Sequence, residues 1–267
     1  MKPLKNILIV ILMTILFVFL EGISTIIALL YKIKFDIQYC KDLLDAINNL
    51  DYSNMSTVNT YMSLCYQIVP MTLILTSIFI LIPLCFYFYK KKIKVIKKLP
   101  IIDVIQFLSL GVVLNIVISF VLEFLPKNLM NNYNSSIGYL EELEFIPLLI
   151  SVGIIAPIIE ELFFRFFMVG KLKNKPILAI IIPALLFGIA HGNLVQGTYA
   201  FLLGMIFAYI YLKTNNLLCT ILLHMSINSS SVLISLVPNY ISIALIFISF
   251  IICIYLFFTN KNFLKNK

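Results

Sequence analysis

The only arginine in this 267-residue chain and its only two histidines lie in apolar stretches long enough to cross a membrane. They belong to three short motifs: Glu160-Glu161-x-x-x-Arg165, Phe187-x-x-x-His191 and His224-x-x-x-Asn228. An ionisable side chain in hydrocarbon costs roughly 2.5 to 3.5 kcal/mol on insertion scales, so it is retained mainly where it pairs, faces a cavity or takes part in chemistry. The motifs therefore predict an active site inside the membrane.

The first motif contains two carboxylates with different helical neighbours. Glu161 and Arg165 are four residues apart, so they share a helix face and can form an ion pair. Glu160 points about 100° away, because a helix has 3.6 residues per turn, and it escapes that pair. A carboxylate in a low dielectric is suited to take a proton from water, which makes Glu160 the candidate general base.

The other two motifs contribute hydrogen-bonding side chains. His224 and Asn228 are also four residues apart, so both can donate hydrogen bonds toward one oxygen, as an oxyanion requires. His191 comes from a separate helix and can help to hold the attacking water. Glu160, Glu161 and Arg165 can equally form a buried polar network that only fixes helix register, and a lone membrane histidine is commonly a packing or hydrogen-bonding group.

Composition identifies the elements that must position these residues. The chain is 61% hydrophobic and 12% charged, with a mean hydropathy of +1.04, which excludes a water-soluble domain. Apolar runs of about 17 to 25 residues span a bilayer as helices, and period-2 alternation typical of a membrane barrel is absent. We predict an all-α polytopic membrane protein with about eight transmembrane helices, at residues 6–31, 66–89, 101–125, 146–170, 176–191, 195–213, 217–236 and 240–259.

The charge distribution predicts the orientation of these helices. Lys and Arg concentrate in cytoplasmic loops. With both termini cytoplasmic, the outside receives only four of the twenty basic residues: Lys32, Lys34, Lys41 and Lys127. We expect the cluster Lys90 to Lys98 to contact anionic lipids at the cytoplasmic surface, and no motif indicates nucleic-acid binding. The five cysteines have no metal or disulfide spacing and are expected to pack as apolar residues.

The ordered motifs resemble those of the CPBP family of intramembrane proteases, which includes CAAX prenyl endopeptidases and bacterial Abi-like bacteriocin-processing or self-immunity proteins. The resemblance covers about residues 146 to 236. It implies peptide-bond hydrolysis in the membrane, with Glu160 and His191 activating water, His224 and Asn228 stabilising the oxyanion, and the supporting pair Glu161 and Arg165 maintaining the geometry. No cofactor is favoured.

Zinc is the alternative cofactor, since glutamates and histidines can hold it with an open water position. Its ligands would be Glu160, Glu161, His191 and His224. We favour the metal-free mechanism because partners that would orient metal-binding histidines are not apparent in the sequence.

Within a single membrane domain of residues 1–267, we expect helices without catalytic motifs in residues 1–145, a catalytic core in 146–236, and a last helix with a basic tail in 237–267. Nineteen lysines against one arginine, with abundant Ile and Asn, indicate an AT-rich bacterial genome and hence a bacterial cytoplasmic membrane. The expected substrates are membrane-associated peptides or proteins, in bacteriocin maturation, self-immunity or peptide signalling. The alternatives are a catalytically silent immunity or scaffold protein and a proton-coupled transporter.

Overall fold

A computed structural model describes residues 2–91, 96–137, 144–234 and 239–260. The described residues form eleven helices and no strand. The helices are α1 Lys2–Phe35, α2 Ile37–Asn48, α3 Met55–Tyr66, α4 Val69–Lys91, α5 Ile101–Leu122, α6 Lys127–Ile137, α7 Phe145–Leu172, α8 Pro176–Ala190, α9 Leu194–Thr214, α10 Leu217–Ile234 and α11 Asn239–Thr259. The prediction of an all-α membrane protein is confirmed.

Six stretches of the described chain are long and apolar enough to cross a membrane: Leu4–Phe35, Ser56–Pro83, Ile101–Leu122, Phe145–Leu172, Leu194–Thr214 and Leu217–Ile234. Two shorter apolar helices, Pro176–Ala190 and Ile243–Thr259, lie at the fifth and eighth predicted segments. The chain is an integral membrane protein. The count of eight spans and the orientation of the termini stay predictions.

The connection between the first two predicted spans differs from the expected loop. It contains the amphipathic helix α2 and the helix α3, which begins the second apolar stretch. Both pack with α1 in a small cluster that includes Ala28, Tyr39 and Leu64. Asp36 caps α2 by accepting a hydrogen bond from the backbone N–H of Tyr39. A hydrogen bond from Lys32 holds the pKa of the Asp36 carboxyl below its ordinary value.

The helix that carries the glutamate motif, α7, is not a regular α-helix. It contains two π-helical segments, Leu149–Ile155 and Glu161–Val169, on either side of a short α-helical turn that contains Pro157. Proline lacks an N–H, so it leaves a carbonyl in the preceding turn without its helical donor. Two side chains of α10 supply donors there: Asn228 Nδ2 lies 3.0 Å from the carbonyl oxygen of Val152, and Ser229 Oγ lies 3.1 Å from that of Gly153.

The helices α8 and α9 pack closely because small residues face each other. A Cβ atom on Gly188 would lie 2.6 Å from the carbonyl oxygen of Gly197, and one on Gly204 would lie 3.0 Å from Cα of Ala184. Small residues let membrane helices approach backbone to backbone. This contact fixes the end of α8, where His191 lies.

The last helix is joined to α5 at one end of the bundle. Asn260 Nδ2 donates to Asp103 Oδ1 at 2.7 Å and to Gln106 Oε1 at 2.9 Å. Cysteines 40, 65, 219 and 253 are free thiols. Residues 92–95 of the expected lipid-binding cluster and residues 261–267 of the basic tail lie outside the described residues.

Candidate active site

The four residues predicted to be catalytic come from three helices and line one cavity of about 340 Å³. Glu160 comes from α7, His191 from the end of α8, and His224 and Asn228 from α10. The supporting pair, Glu161 and Arg165, does not line the cavity. The exposed side-chain fractions agree with this division, at 22% for Glu160, 0% for Glu161 and 2% for Arg165.

A chain of charged and polar groups connects the supporting pair to the cavity. Arg165 Nη1 lies 3.1 Å from Glu161 Oε1, which confirms the ion pair expected from their spacing. The same Glu161 oxygen lies 2.9 Å from His224 Nδ1, and His224 Nε2 lies 3.6 Å from Glu160 Oε2. An ionised carboxylate can only accept, so Nδ1 of His224 donates to Glu161 and Nε2 is directed toward Glu160.

The buried guanidinium of Arg165 is enclosed by aromatic rings. Its Cζ atom lies 4.4 Å from the ring centroid of Phe187, 4.9 Å from that of Phe207 and 5.9 Å from that of Phe164. Within the described residues, neither Nη atom has a hydrogen bond of good geometry, although the Nη1 to Glu161 distance fits an ion pair. Cation–π contacts and the ion pair therefore hold this charge in the bundle. The ring of Phe187 therefore contacts the guanidinium of Arg165 in addition to its apolar neighbours.

The ring of His191 is oriented by its own helix. Nδ1 lies 2.8 Å from the carbonyl oxygen of Phe187, and the two rings meet edge to face with centroids 4.8 Å apart. A carbonyl oxygen can only accept, so Nδ1 carries the proton and a neutral ring keeps its lone pair on Nε2. This tautomer can accept a hydrogen bond from a water molecule in the cavity.

Asn228 has one hydrogen bond that the sequence did not reveal. One N–H of its amide donates to Val152 on α7, while the side chain also lines the cavity. The second N–H and the amide oxygen are left for groups inside the cavity. The oxyanion candidate is therefore fixed in position relative to the helix that carries Glu160.

Ser231 of α10 also lines this cavity. Other helices contribute further polar side chains to it: Glu21, Thr76, Ser77, Asn115, Ser119, Tyr133, Gln196 and Tyr199. The hydroxyl oxygens of Tyr133 on α6 and Tyr199 on α9 are 3.3 Å apart. The motifs did not identify most of these residues. A polar residue inside an apolar span, such as Asn115 or Glu21, is the sequence signal for such a position. The helices without catalytic motifs thus build part of the cavity wall.

The fit of a zinc ion can be tested against these positions. Glu161 is one of the four residues named as zinc ligands in the alternative mechanism. It contacts His224 Nδ1 and does not line the cavity. Across the described ranges, no group of three or more His, Cys, Asp or Glu side chains is placed to hold a metal ion. One reason for favouring a metal-free site was wrong, because both histidines do have partners on their second ring nitrogen. The residues as placed do not form a metal-binding set, and metal dependence stays a prediction.

Residues 142–230, which hold all three motifs, match the family model described as Type II CAAX prenyl endopeptidase Rce1-like. The chain is 33% identical over 107 residues to "Putative membrane peptidase YdiL" of Bacillus subtilis, a match that covers 38% of this chain and 44% of that protein. It is 31% identical over 108 residues to "UPF0177 protein YxdF" of Lactococcus lactis, covering 39% of this chain and 60% of that protein.

Each match therefore spans less than two thirds of the relative's length. No solved structure matches the chain significantly. The family resemblance predicted from the motifs is confirmed for residues 142–230, which are similar to the CAAX prenyl endopeptidases that this model describes.

Proposed function

We propose that this protein is an intramembrane endopeptidase that hydrolyses peptide bonds of membrane-associated peptides or proteins. The observation that carries the proposal is the shared cavity, where a carboxylate, two imidazoles and a carboxamide from three helices meet. A purely structural polar network needs no cavity, whereas hydrolysis needs space for water and a peptide. The family description and the printed name of the first relative support the same reaction class.

In this mechanism Glu160 and His191 activate water. Glu160 is the motif carboxylate that lines the cavity, and it takes the proton of the attacking water. The Nδ1–H of His191 is bonded to a backbone carbonyl, so its Nε2 lone pair orients the water through the second O–H. The water oxygen then attacks the carbonyl carbon of the peptide.

His224 and Asn228 stabilise the oxyanion that forms. Asn228 donates through its second N–H. For His224 to donate through Nε2, both ring nitrogens must carry protons, because Nδ1 already donates to Glu161. The proton that Glu160 takes from water can supply the second one, since the 3.6 Å between Glu160 Oε2 and His224 Nε2 closes with a small side-chain adjustment.

The proton then passes from this pair to the leaving amine as the C–N bond breaks. One water and one peptide bond give a carboxyl group and an amine, and the enzyme returns to its starting protonation state. Glu161 and Arg165 act through His224 as positioning residues.

The test is a comparison of the membrane peptidomes of cells that carry the wild-type chain or Glu160→Gln, which is nearly isosteric but cannot act as a base. Glu123→Gln is the matched control, because Glu123 is exposed and does not line the cavity. We expect peptides that accumulate uncleaved with Glu160→Gln and not with Glu123→Gln.

Unchanged peptidomes in folded Glu160→Gln cells would support a catalytically silent immunity or scaffold protein instead. Flux of a solute in proteoliposomes that persists in Glu160→Gln would support a transporter. Bacteriocin maturation, self-immunity and peptide signalling are the proposed settings, and the accumulated peptides would distinguish them.

A further inference from the structure

The cavity occupies one end of the helix bundle. Its lining residues lie at the start of α4 and α9 and at the end of α5 and α8. In α1 and α7 they lie near the middle of the helix, and in α10 they lie in the C-terminal half. Thr76, Asn115 and Gln196 are examples from three different helices. The predicted alternation of eight spans places these positions on the same side of the bundle.

The opposite end of the cavity is closed by tightly packed side chains. Arg165, Met168, Phe207 and Leu217 are each 1% exposed or less. The aromatic contacts of Arg165 fill the space below His224. A peptide can therefore not reach Glu160 from that end without unpacking the core.

Short polar elements lie around the open end of the cavity. The amphipathic helix α6 lies there and reaches α9 through the Tyr133–Tyr199 hydroxyl contact. The connection between α8 and α9 also lies there, next to His191. Ser231 lines the cavity at this side and is exposed.

The basic residues separate along the same axis. Lysines 90, 97 and 98 lie at the end of α4 and in its connection to α5, on the side of the closed end. Lysines 171, 173 and 175 lie on the same side, at the end of α7 and in its connection to α8. Among the described residues, the end that the cavity faces carries only lysines 32, 34, 41 and 127. Lys and Arg of short connections mark the cytoplasmic side.

We infer that the cavity is entered from the extracytoplasmic side, so that its substrates are exported peptides or the outward-facing segments of membrane proteins. The identification of these peptides as substrates rests on the proposed function. The direction of access to the cavity does not depend on it. The cavity provides hydroxyl and amide groups from α4, α5, α6 and α9 for the backbone of an extended peptide. Cytoplasmic proteins with a processed C-terminus would meet the closed end.

The test is chemical labelling of Ser231→Cys with a membrane-impermeant maleimide, first in intact cells and then after permeabilisation. Cysteine is close in size to serine, and Ser231 is outside the proposed catalytic set. Mass spectrometry identifies the labelled position, so the natural cysteines stay in place. Cys40 in α2 is an internal marker of the same side, and Lys173→Cys is the marker of the opposite side.

We expect Ser231→Cys to be labelled equally with and without permeabilisation, while Lys173→Cys is labelled only after it. Ser231→Cys that reacts only in permeabilised or denatured material would overturn the inference, as would labelling of Lys173→Cys in intact cells. Ser119→Cys, also exposed on the cavity wall, repeats the measurement if Ser231→Cys does not fold.

The peptidome comparison provides an independent second result. Cleavage sites that depend on Glu160 should lie in segments outside the cytoplasm, and cytoplasmic sites would contradict outward access. If labelling shows an outward cavity but Glu160→Gln changes no peptide, the hydrolysis proposal fails and the orientation holds.

Discussion

His224 Nδ1 lies 2.9 Å from Glu161 Oε1, the same oxygen that lies 3.1 Å from Nη1 of Arg165. This single oxygen joins a buried cation to a ring that faces the cavity. It fixes which nitrogen of His224 faces Glu160, and so a residue that touches no substrate determines the hydrogen-bonding state of one that does.

Replacing Glu161 with Gln should therefore impair both stability and the orientation of His224. The Gln amide leaves Arg165 as an uncompensated buried charge, which costs about 3 to 5 kcal/mol. Thermal unfolding in detergent should show a clear decrease for Glu161→Gln but little change for Glu160→Gln, because Glu160 faces the cavity. Equal stability of the two variants would contradict the assigned network.

Arg165→Lys should not preserve the stability and activity of the wild-type protein. Lysine keeps the charge but not the planar group that stacks between Phe187 and Phe207. We expect lower thermal stability than wild type and reduced cleavage, measured on the peptides that accumulate in Glu160→Gln cells. Wild-type stability and cleavage in Arg165→Lys would show that a positive charge at this position is enough, without the planar guanidinium.

Asn228 and Ser229 offer a matched pair, because each donates one hydrogen bond to a backbone carbonyl of α7. Asn228→Ala and Ser229→Ala should each lose about 1 to 3 kcal/mol of stability by leaving a buried carbonyl unpaired. Only Asn228→Ala should also lower the rate constant of cleavage, by about 100- to 1,000-fold, since removing one oxyanion donor has that effect.

Ser229 does not line the cavity, so its variant reports the structural part alone. Equal losses of activity in the two variants would assign Asn228 to structure rather than to the oxyanion.

Gly188→Ala should displace α8 from α9, since the added methyl group would lie 2.6 Å from the backbone oxygen of Gly197. Overpacking of this kind costs about 1 to 3 kcal/mol. Gly170→Ala is the control, because no atom lies within 4 Å of the corresponding position. Thermal unfolding should separate the two variants, and an unaffected Gly188→Ala would show that the helices can move apart without cost.

Activity of the purified protein should survive prolonged treatment with a metal chelator. The expectation follows from the placement of the candidate ligands, because no three His, Cys, Asp or Glu side chains of the described residues are grouped to hold a metal ion. Elemental analysis of the same preparation checks it. Loss of cleavage on chelation, with recovery on adding zinc, would contradict the metal-free mechanism.

Hydropathy and spacing were sufficient to predict the helical bundle and the contact between Glu161 and Arg165, because both depend on local periodicity. The helix α2 was missed because a search for long apolar runs overlooks amphipathic helices. Its pattern was readable, since Tyr39, Leu43 and Ala46 recur at helical spacing and are buried.

Other features depend on which helices become neighbours, and the sequence of one helix cannot reveal them. The ring of Phe207 reaches Arg165 only because α9 packs beside α7. Pro157 marks a break in α7, but the π-helical turns beside it depend on donors that α10 supplies. Tyr133 enters the cavity wall from outside the segment that carries the motifs.

The two α7 carbonyls that accept from α10 have a consequence for how the protein matures. Until α10 is inserted and docked, Val152 and Gly153 lack these side-chain donors, and an unpaired backbone acceptor in lipid is costly. In a chain that stops before Asn228, or that inserts α10 in the wrong register, the carbonyl of Val152 lacks this donor and the folded state is destabilised. We expect the bond that positions the oxyanion candidate also to favour the correct register of α10 against α7 as the helices assemble.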